Sequence, residues 1–207
     1  MVRIVTDPAD PSAAAVAAAV NALRAGKVVA FPTDTLYGLA VDPRCRDAVD
    51  RLFALKGRDA TLAVPLVAAD LEQAMLAADL GEREQRAAEA FWPGPLSIVA
   101  PANVCITREV LGGRQTVAIR VPAHEIAREL ARAFGFPITA TSANRSGQPA
   151  AESADAVAQA LADVAVLLDG GRAAGGAPST IIAFDGPRPV LVREGAVPWD
   201  RVIKSLR

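Results

Sequence analysis

Short apolar runs alternate along this sequence with segments carrying apolar residues at every third or fourth position, the pattern of strands and helices in turn. Ser12 is placed to cap a helix over residues 13–25, which Gly26 ends. Val28-Val29-Ala30-Phe31 predicts a short buried strand stopped by Pro32, followed by a loop over residues 33–38. Val49, Leu52 and Phe53 fall on one face of a helix over residues 46–55. Residues 63–68 read as a strand, and Asp70 caps a further helix. A polar helix over 82–91 ends at Trp92-Pro93-Gly94-Pro95. Strands are predicted at 96–100 and 116–121, a helix at 123–134 and a strand at 138–141 that runs into Ser142-Ala143-Asn144-Arg145-Ser146-Gly147. A helix at 153–162, strands at 164–168, 180–184 and 189–193, and a last helix at 199–206 complete the chain.

Several strand connections pass through helices, which calls for a parallel part, and the helix-free stretch after Val164 calls for antiparallel strands. The expected fold is therefore α/β, a twisted mixed sheet flanked by helices with a concave anion-binding face. No linker, repeat or low-complexity block beyond alanine bias divides residues 1–207, so one domain is expected. A chain of 207 residues can bury a full core without disulfide or metal staples. Hydrophobic residues make up 52%, but 45 of them are alanine and aromatics reach only 4%, so the core must be Val, Leu, Ile and Ala. Cys45 and Cys105 form no framework, and the single histidine, His124, leaves no four-ligand zinc chemistry. The alanine run 13–20 follows Asp7, Pro8, Asp10 and Pro11, which no secretory signal would carry, and no stretch reaches the roughly 18 apolar residues of a membrane span. A cytoplasmic protein with no membrane partner is expected. The net charge of −1 shows no overall nucleic-acid footprint and leaves room for a local one.

The chemistry-bearing residues sit in three places. No GxxxxGK[ST] or GxGxxG is present, and the glycine-rich stretch 170–176 reads as a connection between strands. Lys56-Gly57-Arg58 stands out in a chain with 19 arginines and three lysines: a compact ammonium beside a planar fork suits a polyphosphate. The same pair also suits a basic helix C-terminus that complements the macrodipole. Thr139-Ala140-Thr141-Ser142-Ala143-Asn144 offers small donors to an anion, or plain turn chemistry. Thr116 and Arg120, four apart on one strand, face the same way, while Arg193 ends another strand and Ser179-Thr180 opens a third. Arginines at strand ends are usually solvated, but gathered near hydroxyl-rich loops they point to a crevice of the kind that open α/β sheets form at strand ends.

Taken in order, five segments carry a resemblance over nearly the whole chain: Gly26-Lys27-Val28-Val29-Ala30-Phe31-Pro32-Thr33-Asp34-Thr35-Leu36-Tyr37-Gly38-Leu39, then Lys56-Gly57-Arg58, then Ser142-Ala143-Asn144 with Ser146-Gly147, then Pro178-Ser179-Thr180-Ile181-Ile182, then Val192-Arg193-Glu194-Gly195. The KxR and later SxN resemble the YrdC-like threonylcarbamoyl-AMP synthase family. The resemblance implies an enzyme joining L-threonine, bicarbonate or CO2, and ATP into L-threonylcarbamoyl-AMP and pyrophosphate, the first step toward N6-threonylcarbamoyladenosine in tRNA. It implies that Lys56 and Arg58 grip the ATP phosphates, with Ser142 and Asn144 completing the catalytic cradle. Thr116, Arg193 and Ser153 would also reach the nucleotide. Thr35, Arg120, Ser142 and Ser179 would hold threonine, Arg120 through the carboxylate. Magnesium would ride on the phosphates, with no metal ligand from the protein. Further implied partners are tRNA or double-stranded RNA and the enzymes that transfer the threonylcarbamoyl group onward. The chain departs from the family pattern at Asp59, where many relatives have proline, at Ala69, where they have histidine, and at Glu194, where proline is common. It ends soon after Arg193, so the extra C-terminal domain of longer relatives is not expected.

Two other readings compete. A YrdC-like module that holds RNA or a nucleotide without catalysis would share the basic face, but joint retention of Lys56, Arg58, Ser142 and Asn144 favours catalysis. The carbamoyl-transfer use of a similar domain in hydrogenase maturation would bring zinc modules that two cysteines cannot build.

Overall fold

The computed structural model describes residues 1–57, 59 and 61–206. Ser12 accepts a hydrogen bond from Ala15 N and opens α1 (Ala13–Arg24). Its buried face carries Ala15, Val16, Ala19, Val20 and Leu23 and packs against α6 (Glu125–Phe134), which answers with Ile126, Ala127, Leu130, Ala131 and Phe134. The small alanines allow close approach, and each fully buried leucine contributes about 1.5–3 kcal/mol of transfer free energy. The other helices are α2 (Arg46–Lys56), α3 (Leu71–Met75), α4 (Glu82–Phe91), α5 (Arg108–Leu111), α7 (Ala154–Ala160) and α8 (Trp199–Ser205). Asp70 caps α3 by accepting from Gln73 N at 2.8 Å, as its position predicts.

The strands divide into two mixed sheets where the sequence reading expects one. In the first, β1 (Val2–Val5), β9 (Val166–Asp169) and β2 (Val29–Pro32) run parallel, and β3 (Tyr37–Ala40) and β8 (Thr141–Ser142) add antiparallel pairs, in the order β1-β9-β2-β3-β8. The second has the order β11 (Arg188–Arg193), β10 (Thr180–Asp185), β5 (Leu96–Pro101), β6 (Thr116–Arg120), β4 (Leu66–Val67) and β7 (Ile138–Thr139). Here β10 pairs parallel with β5 and β4 with β6, while the other pairs are antiparallel. The division arises at one predicted strand. Ile138–Thr139 pairs with Val67 and Leu66 in the second sheet, and Thr141–Ser142 pairs with Leu39 and Gly38 in the first. Ala140 lies between them and donates to Pro65 O at 2.8 Å. Because side chains alternate and pairing is local, one extended stretch serves as the edge of both sheets.

Three described elements lie outside the sequence reading. β1 is a four-residue edge strand with exposed Val2 and Val5, so it lacks the apolar pattern of a buried strand. α5 is a single turn, too short to show a period. β3 begins inside the segment read as a loop, because Thr33-Asp34-Thr35 looks like a turn and Gly38 weakens the strand signal. In the fold Tyr37 and Leu39 are fully buried, and Pro32 pairs with Tyr37 to close a β2–β3 hairpin. Among the described residues no helix is long and apolar enough to cross a membrane.

Candidate active site

The two sheets enclose a cavity of about 600 Å³, within the range of small-molecule sites. It opens over the faces of β5, β6, β10 and β11 and is closed at one end by the β2–β3 turn and the loop after β8. Among the described residues its charged lining is Arg114, Arg120 and Arg193, and no carboxylate lines it. A chain of net charge −1 thus concentrates positive charge in one concave place. Hydroxyl and amide groups of Thr33, Thr35, Ser97, Thr116, Ser142, Asn144 and Ser179 share the wall.

Thr116 and Arg120 face the cavity together with Ala118 between them, as period-2 alternation on β6 requires. Arg120 is buried and its Nη1 donates to Asp34 Oδ1 at 2.6 Å, with both side chains about 9% exposed. Its Nη2 donates to Thr33 Oγ1 at 3.3 Å. Asp34 accepts again through Oδ2, from Ala123 N at 3.2 Å. The guanidinium is therefore held on one side, and its remaining N–H bonds are available to a ligand. Thr35 is tied to the same turn by its own N–H to Thr33 Oγ1 and by Gly175 N to its carbonyl.

Arg193 closes β11 and donates through Nη2 to Ser179 O at 2.7 Å. Partial desolvation at the cavity wall, followed by the nearby Arg120 charge, lowers its pKa below the ordinary arginine value. The hydroxyls of Ser179 and Ser97 share a 3.0 Å hydrogen bond. Gly195 keeps this corner tight: any Cβ there would press into the Pro178 carbonyl and lie 2.7 Å from Ser179 C. Tyr37 donates to Gly171 O at 2.6 Å, and burial, helped by Asp169, pushes its pKa up to about 12, so it serves as a neutral donor.

Lys56 occupies a different place from the cavity wall. It ends α2 with only 3% exposure, and its Nζ donates to Ser142 O, to Asn144 O at 2.8 Å and to Asn144 Oδ1 at 3.2 Å. Asn144 Oδ1 also accepts from Ser142 Oγ at 2.5 Å, while its Nδ2 donates to Arg145 O and Gln148 O. Lysine and the SxN loop, 86 residues apart, thus form one hydrogen-bonded unit whose Ser142 and Asn144 reach the cavity. Ser153 is not among the lining residues; its hydroxyl accepts from Ala156 N and caps α7. Arg58 lies outside the described residues. Asp59 accepts from Thr61 N and Thr61 Oγ1, which lower its pKa below the ordinary carboxylate value. Ala69 is buried, with its N–H donated to Gln73 Oε1 at 2.8 Å.

The sequence reading did not single out Asp34, Ser97 or Arg114. Ser97 is the one polar position in the apolar run 96–100, and Arg114 shares the parity of Thr116 and Arg120, so a search for matching parity along that segment would have reached it. Among the described residues no group of three or more His, Cys, Asp or Glu is arranged to hold a metal ion.

A family model for Sua5, YciO and YrdC, described as telomere recombination, matches residues 21–195. A threonylcarbamoyl-AMP synthase of Pyrococcus abyssi is 41% identical over 186 residues, 89% of this chain and 55% of its own length. One from Chromohalobacter salexigens is 40% identical over 168 residues, covering 80% of this chain and 90% of the relative. The crystal structure of Pyrococcus abyssi Sua5 complexed with L-threonine shares the fold with a TM-score of 0.93 and 37% identity, over 99% of this chain and 61% of that one. The chain thus spans little more than half the length of the Pyrococcus relative. Its two mixed sheets, the cavity between them and the match over residues 21–195 agree: the chain belongs to the Sua5/YciO/YrdC family.

Proposed function

We propose that this protein is an L-threonylcarbamoyl-AMP synthase, making the adenylate and pyrophosphate from L-threonine, bicarbonate or CO2, and MgATP. The observation that carries the reading is a cavity whose charged lining is cationic, with carboxylates absent among the described residues. Such a wall suits substrates that together carry a triphosphate and a carboxylate. The synthase names of the relatives and the threonine complex of a similar chain support it.

In this reading threonine binds with its carboxylate on the free edge of Arg120, while Thr35, Ser142 and Ser179 hold its polar groups. The nucleotide lies along Thr116, Asn144 and Arg193, and Arg58 contributes to the phosphates as the family pattern implies. Ser153 caps α7 and lies outside the described lining, so no nucleotide contact is assigned to it. Lys56 acts as a positioning residue: its ammonium braces the carbonyls of Ser142 and Asn144, which supports this role over direct phosphate contact. The threonine amine adds to CO2 and gives up a proton to solvent water, leaving the carbamate. A carbamate oxygen then bonds to the α-phosphorus, the bond to the bridging oxygen breaks, and the electron pair leaves with pyrophosphate. Fixed donors on the cavity wall stabilise that growing charge with little reorganisation. With no carboxylate in the described lining, magnesium would enter on the phosphates of the MgATP substrate. The protein would act in the cytoplasm, and its labile product would pass to enzymes that carry the threonylcarbamoyl group to tRNA.

The deciding assay is pyrophosphate release from MgATP. Release is expected only when L-threonine and bicarbonate are both present. Equal release without threonine would discard the assignment, and nucleotide binding with no release would favour a non-catalytic module.

A further inference from the structure

Arg114 lines the cavity, is exposed, and among the described residues has no side-chain hydrogen bond or ion pair. The two other lining arginines are each partly engaged, Arg120 by Asp34 and Thr33 and Arg193 by Ser179. Arg114 is the cation of the described wall with its whole fork free. We propose that Arg114 is a further substrate-binding residue, pairing with the β- and γ-phosphates of the nucleotide and with the pyrophosphate that leaves. This rests on the function proposed above.

Its backbone is held in place. Arg114 N donates to Leu111 O at 3.1 Å, and Val64 N donates to Val110 O at 2.8 Å. Gly112, at φ +57°, lies so close to the neighbouring segment that a Cβ would sit 2.5 Å from Thr61 O and 2.6 Å from Ala63 N. The turn that presents Arg114 is thereby docked against residues 61–64, just downstream of the Lys56-Gly57-Arg58 motif. Arg114 precedes Thr116 by two positions and so continues the same face of the chain toward solvent. The α-phosphate remains with the adenylate product and belongs near the inner wall. The two outer phosphates must depart, and the free, exposed fork stands on the way out. A planar guanidinium offers them paired donors.

The test uses the full chain with magnesium and calorimetric binding of ATP and of AMP. Arg114→Gln is expected to weaken ATP binding about tenfold, the scale of a charged hydrogen bond at a partly solvated site. AMP affinity and the ligand-free melting temperature are expected to stay unchanged, and Arg114→Lys to recover part of the loss. Equal weakening of ATP and AMP, or no weakening of either, would overturn the inference. A wild-type chain that binds ATP no more tightly than AMP would sink the parent reading as well. A wild type that prefers ATP, beside an Arg114→Gln variant that does so equally, would sink this inference alone.

Discussion

Replacing Asp34 by Asn removes one charge and changes almost nothing in shape, which makes it a sharp probe of the Arg120 anchor. Asp34 accepts on both oxygens, from Arg120 Nη1 at 2.6 Å and from Ala123 N at 3.2 Å, with both partners of the ion pair about 9% exposed. Asparagine has one acceptor oxygen and one donor NH2. Whichever way its amide is turned, one N–H now meets another N–H, and Arg120 keeps a charge with no counter-ion. Breaking a buried pair from one side costs about 3–5 kcal/mol; the retained hydrogen bond places Asp34→Asn at the lower end, about 3 kcal/mol. At roughly 2–4 °C per kcal/mol for a chain of this size, the melting temperature should fall by about 6–12 °C. Urea unfolding, with midpoint and slope fitted separately, measures the loss. Under the proposed function the KM for threonine should also rise, because Arg120 is no longer aimed, while ATP affinity is kept. A loss below about 0.5 kcal/mol would show that the pair is merely a solvated contact and would refute the reasoning.

Other expectations follow from the same geometry. Lys56→Met keeps the stem but removes three donated hydrogen bonds from the SxN loop, so turnover in the pyrophosphate assay should fall tenfold or more, in keeping with the loss of a transition-state donor, here through the loop. Full retained activity would exclude the positioning role. Ser153→Ala should lose about 1 kcal/mol of stability through the α7 cap and leave ATP binding unaltered; weakened ATP binding would instead place Ser153 on the nucleotide. Gly195→Ala should destabilise by about 1–3 kcal/mol, since the new methyl must displace the Pro178–Ser179 backbone, and a neutral result in urea unfolding would contradict the packing at that corner. His124 is partly buried, its Nδ1 has no hydrogen-bond partner among the described residues, and burial lowers its pKa below 6.5 against the pull of Asp34 and Glu125, with Arg128 acting alongside burial. The unfolded chain therefore takes the proton more readily: the contribution is full above pH 6.5 and is lost as pH falls through the folded value. The stability of the wild type relative to His124→Gln should decline as pH falls below about 6.5, and a flat difference would rule this out.

Much of the architecture can be read before any coordinates. Local signals sufficed for α1, α2, α4 and α6, because caps and three-to-four-residue periods are properties of contiguous segments. The splitting of the strand at Ala140 could not be read this way, since it depends on Pro65 and on Leu39, each far away in the chain. The same divide runs through the site. Thr35, Thr116, Arg120, Ser142, Asn144, Ser179 and Arg193, whose substrate roles the family resemblance implies, line one cavity.

Composition and order alone establish which cations and hydroxyls the chain owns and on which face of its own strand each one stands. Which of them remain available to a ligand is a matter of partners 80 or more residues away: Asp34 claims part of Arg120, and the carbonyls of Ser142 and Asn144 claim Lys56. A charge taken out of water is costly to leave without its partners, so long-range packing selects the groups that stay free to face the cavity.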